Sequence, residues 1–75
     1  MQSSITHIQT ELKGLYPETE IRSFTNLIIE KLTGYSRTQI ILNKNTLFSD
    51  IQRHEIESFI RLLKKHVPIQ YILGE

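Results

Sequence analysis

Apolar residues recur along this chain with helical pitch almost from end to end. Ile5, Ile8, Leu12 and Leu15 are spaced by three, four and three residues, which puts them on one helix face. Ser3 or Ser4 can cap that helix, and Gly14 with Pro17 can close it, so a first helix is predicted from about Ser4 to Leu15. Pro17, Glu18 and Glu20 then mark a helix start. Proline loses no hydrogen bond at the first helical position, and carboxylates suit the positive end of the helix dipole. Ile21, Phe24, Leu27, Ile28 and Leu32 continue as a wide apolar stripe. Gly34 stops it, because glycine accepts the left-handed cap conformation, and Tyr35 is placed to fold back on Ile29.

Beyond Gly34 the elements shorten. Ser36 can cap a third helix, Arg37 to Leu42, which carries Ile40 and Ile41, and Asn43-Lys44-Asn45-Thr46 forms a polar turn. Leu47 and Phe48 follow in a loop and are expected to plug one end of the bundle. Ser49 and Gln52, three apart, make a capping box for a fourth helix, whose apolar positions are Ile56, Phe59, Ile60, Leu63 and Val67. Glu57 and Arg61 are spaced for an i,i+4 ion pair, and Lys64, Lys65 and His66 sit where cations favour a helix C-terminus. Pro68 breaks that helix, and Ile69, Ile72 and Leu73 make one more short turn before Gly74. Strand signals and internal repeats are absent. The fold predicted is all-α: a small orthogonal bundle of four main helices plus a short C-terminal helical turn. Short connections imply that sequence neighbours pack together.

Composition narrows the function more than the fold. A chain of 75 residues holds one domain, and its core is small enough for stability to be marginal. With no cysteine, neither a disulfide nor a thiolate metal site can support it. The net charge of +1 is low for a protein that lives by neutralising phosphates, which makes direct nucleic-acid binding an unfavoured reading. No apolar run reaches the roughly 20 residues that span a bilayer, and the start Met1-Gln2-Ser3-Ser4 lacks the pattern of a signal peptide. The expected location is the cytoplasm.

Catalytic chemistry has little to work with. His54-Glu55 lacks the second histidine that zinc binding on a helix requires, and His7, His54 and His66 are scattered, so no metal is expected. Glu55 and Glu57 are two apart on a helix and cannot face each other. Gly14, Gly34 and Gly74 stand singly, outside any glycine-rich nucleotide loop. Two segments invite sharper readings. Gly34-Tyr35-Ser36-Arg37-Thr38-Gln39 is a tight turn into a helix start rich in hydrogen-bonding groups. It suits a cap with surface side chains first, protein docking second, and major-groove reading by a helix-turn-helix third. The basic cluster Arg61, Lys64, Lys65 reads as dipole complementarity before it reads as a surface for an RNA-rich partner. The tail, Pro68 to Glu75, either packs against a following domain or caps the bundle itself.

That tail also carries a resemblance. Pro68-Ile69-Gln70-Tyr71-Ile72-Leu73-Gly74 is similar to the Pro-x-x-Tyr/His-x-x-Gly signature at the domain junction of the HemK/PrmC family, which methylates a glutamine in peptide chain release factors. Pro17 and Arg22 resemble the family's second helix, Gly34-x-x-Arg37-Thr38 the turn into its third, and Leu47, Asp50 and the helix to Lys65 its fourth. The resemblance implies a helical substrate-docking bundle over residues 1–67 and a junction over 68–75, leading to a Rossmann-like domain that binds S-adenosylmethionine. The family's Asn-Pro-Pro-Tyr motif and cofactor loop have no counterpart in this sequence, so the chain by itself is expected to hold no catalytic residue, cofactor or metal. It implies two partners, a release factor and the methyltransferase domain. Arg37, whose guanidinium can pair with a carboxylate in bidentate fashion, and Thr38 beside it are the candidate docking residues. Pro68, Gln70, Tyr71 and Gly74 are the candidate junction residues. The alternatives are a small helix-turn-helix nucleic-acid binder and an independent interaction scaffold.

Overall fold

The structure, a computed structural model, describes residues 2–43 and 45–74. Met1, Lys44 and Glu75, which belong to the predicted N-terminus, polar turn and junction, lie outside the described residues. All regular structure among the described residues is helical: α1 (Gln2–Leu12), α2 (Glu18–Thr33), α3 (Arg37–Leu42), α4 (Asp50–Lys64) and α5 (Ile69–Leu73). The all-α prediction holds, and the predicted terminal turn is a fifth helix.

Three helices build the core. Ile8 and Leu12 of α1, Ile21, Ile28 and Ile29 of α2, and Ile56, Ile60 and Leu63 of α4 form one buried cluster, joined by Ile40 of α3 and by Phe48. His7 pairs with Glu57, and Glu11 lies 3.6 Å from Lys64, so α1 and α4 run parallel. The amide of Gln52, in the first turn of α4, donates to the Leu32 carbonyl in the last turn of α2 at 3.4 Å, so those two helices run antiparallel. Packing therefore departs from chain order. The non-sequential pair α1 and α4 is in close contact, whereas α3 packs on α2 and does not contact α4.

The helix ends explain where the sequence reading drifts. Helix α1 stops at Leu12, three residues early, because Gly14 turns left-handed at φ +86° and Leu15 closes a turn on the Leu12 carbonyl at 3.0 Å. Leu15 is consequently exposed, and Tyr16 takes its expected place against the core. Ser3 and Ser4 fall inside α1. Pro17 is the N-cap of α2, one position before its predicted place. The buried stripe of α2 is Ile21, Thr25, Ile28 and Ile29, rotated away from Leu27, which stays partly exposed. Thr25 enters the core because its hydroxyl donates to the Ile21 carbonyl at 2.7 Å, leaving no polar group unsatisfied.

The predicted capping box forms at Ser49 with Gln52, and the predicted cap Ser36 forms a second one with Gln39. Gly34 caps α2 at φ +71°, its amide donating to the Glu30 carbonyl at 2.7 Å. Tyr35 packs against the core cluster that includes Ile29, its amide held by the Thr33 hydroxyl at 3.1 Å. Phe48 plugs the bundle, but Leu47 points outward, so only half of the predicted plug forms. Glu57 pairs with His7 rather than Arg61, because α1 lies alongside that face of α4.

Helix α4 ends at Lys64 rather than running on to Val67. His66 adopts φ +61°, its amide donating to the Leu63 carbonyl at 2.9 Å and that of Val67 to the Leu62 carbonyl at 3.1 Å. This pair of bonds is a Schellman motif, with histidine where glycine is usual. Tyr16 secures it. Its hydroxyl donates to the Leu63 carbonyl at 2.6 Å, and its ring meets Phe24 edge-on at 5.0 Å and His66 at 5.5 Å. One side chain from the α1–α2 turn thus ties together the start of α2 and the end of α4.

Two outcomes follow for stability, measured by urea unfolding. Ile29→Ala should cost about 2–5 kcal/mol and Leu27→Ala less than about 1 kcal/mol; equal costs would mean that the α2 stripe is not rotated. Tyr16→Phe should cost about 1 kcal/mol and speed hydrogen exchange at the His66 and Val67 amides, which an isolated surface hydroxyl would not do.

Candidate interaction surfaces

The candidate residues fall on two separate regions. Arg37 and Thr38 open α3, just past the C-terminus of α2. Both are exposed, and their side chains make no hydrogen bond or ion pair with a described residue. The Ser36 hydroxyl accepts the Gln39 amide at 3.3 Å, while the Gln39 side chain accepts the Ser36 amide at 2.9 Å. The capping box spends Ser36 and Gln39 on the helix start and leaves Arg37 and Thr38 facing solvent. With six residues, α3 is about 9 Å long, a short recognition helix for a DNA groove.

Pro68, Gln70, Tyr71 and Gly74 lie on or beside α5, which begins just past the C-terminal end of α4. The apolar side of this helix turns inward: Ile69 and Ile72 pack against the core and Leu73 is buried, with α2 and α4 as neighbours. The tail therefore caps the bundle with these three side chains. What remains outward is Gln70 and Tyr71, the ring 80% exposed, with Pro68 and Gly74 exposed at the two caps.

The surface offers little enclosed space. Shallow clefts of about 250 and 310 Å³ lie between α1 and α2, lined by Gln9, Lys13 and Arg22, and between α1 and α4, lined by Ser4, His7 and Arg53. Among the described residues no three side chains are grouped to hold a metal ion, and no helix is long and apolar enough to cross a membrane. Nor do the residues present fit S-adenosylmethionine. The glycines stand singly at helix or turn ends, and Thr25, the one buried polar side chain among the described residues, is already satisfied within its own helix.

Sequence reasoning missed Tyr16 altogether, and it missed the outward apolar positions Leu42, Leu47 and Ile51. A signal for Leu42 exists. In a six-residue helix that buries Ile40, a side chain two positions on must point to the other side.

The described residues form a small all-α bundle with only shallow surface clefts. Residues 4–74 match the family described as the PrmC N-terminal domain, and the chain belongs to that family. It is similar to the release factor glutamine methyltransferase of Bacteroides thetaiotaomicron, 31% identical over 74 residues, or 99% of this chain and 27% of that protein. It is also similar to the release factor glutamine methyltransferase of Flavobacterium psychrophilum, 34% identical over 70 residues, or 93% of this chain and 25% of that protein. The chain thus spans about a quarter of the length of the curated relatives it matches. No solved structure matches it.

The inward and outward faces of α5 should separate by mutation. Leu73→Ala should lower the stability of the chain by about 2 kcal/mol or more, whereas Tyr71→Ser should change it by no more than about 0.5 kcal/mol. A large loss on Tyr71→Ser in thermal unfolding would place that ring inside the bundle.

Proposed function

We propose that this chain is the substrate-docking domain of a protein-glutamine methyltransferase that acts on a peptide chain release factor, and that it transfers no methyl group by itself. The observation that carries the proposal is the family match across residues 4–74, joined to two relatives whose names give that substrate. The remaining length of such an enzyme supplies the methyl-transfer chemistry, drawing on S-adenosylmethionine. This bundle supplies a second contact surface on the macromolecular substrate.

A second contact is useful for a physical reason. A flexible loop carrying the target glutamine loses translational and rotational freedom when it enters an active site. Anchoring its parent protein elsewhere meets that cost in advance. Contacts remote from the reacting amide also add specificity without altering the chemistry. In this reading Arg37 and Thr38 belong to the docking side, while Pro68, Gln70, Tyr71 and Gly74 form the junction with the methyltransferase domain. The exposed Tyr71 ring supports that division, since an aromatic side chain that contributes little to its own fold is well suited to an interface. The same reading places the protein in the cytoplasm, where release factors work.

Deletion of this segment from a full-length methyltransferase that carries it is the direct test. The KM for an intact release factor should rise by about tenfold or more, while a short peptide bearing the target glutamine is methylated at an undiminished rate. Unchanged kinetics on the intact release factor would remove the docking role.

A further inference from the structure

We draw no further inference here: the strongest candidate, the exposed apolar face that Ile41, Leu42 and Leu47 form on α3 and the loop after it, is an unpartnered surface, and nothing in the structure shows what covers it.

Discussion

The phenol of Tyr16 is the constraint on which the arrangement of this small bundle turns. Its hydroxyl reaches the carbonyl of Leu63 at 2.6 Å while its ring is braced by Phe24 and His66. The carbonyls at a helix C-terminus have no partner within the helix, and here that of Leu63, which already accepts the His66 amide, takes a second bond from a residue forty-seven positions earlier in the chain. That contact fixes the α1–α2 turn against the end of α4. The end of α4 sets where α5 begins, and α5 closes the remaining side of the core with Ile69, Ile72 and Leu73. At the other end Gln52 plays the matching part, capping its own helix through Ser49 while reaching the Leu32 carbonyl of α2. Exposed ion pairs such as Glu11 with Lys64 add little to this, since solvent screens them.

Much of the fold was legible because local rules and tertiary packing agree in most places. The cap at Ser36, the capping box at Ser49, the stop at Gly34 and the break at Pro68 depend on a few adjacent residues, and the structure follows them. The misreadings share a different cause. Leu15, Leu27 and Leu47 are apolar and well spaced, yet which of them faces inward depends on the position of helices remote in sequence. Thr25 was unreadable as core for the converse reason: its polarity is cancelled by a bond to its own helix that spacing does not reveal. Glu57 found its partner in His7 of α1 because the parallel contact of α1 and α4 is a tertiary fact.

The candidate surfaces were legible as positions and not as surfaces. Arg37, Thr38 and Tyr71 could be named from residue type and from the resemblance, and all three prove exposed. That α5 turns three of its five residues inward, leaving Tyr71 outside, required the packing of α2 and α4 to be known. The apolar company of Arg37 was equally hidden. Leu47 read as part of an end plug, and only the packing, with no contact between α3 and α4, showed it and Leu42 to be uncovered. A small domain has few apolar side chains to spare, so those it leaves in water say more about its task than those it buries.

The left-handed residue at the end of α4 has a mechanical consequence. Histidine at φ +61° is held in a conformation that side-chain-bearing residues enter only as isolated steps, and the short link from His66 to Pro68 is the sole covalent path between α4 and α5. With the imidazole set against Tyr16 and proline restricting the next backbone angle, that link is a stiff elbow rather than a tether. Any body attached beyond α5 would inherit its bearing from this elbow, and a small torsional change there would be magnified, as by a lever, into a much larger sweep at the distant end.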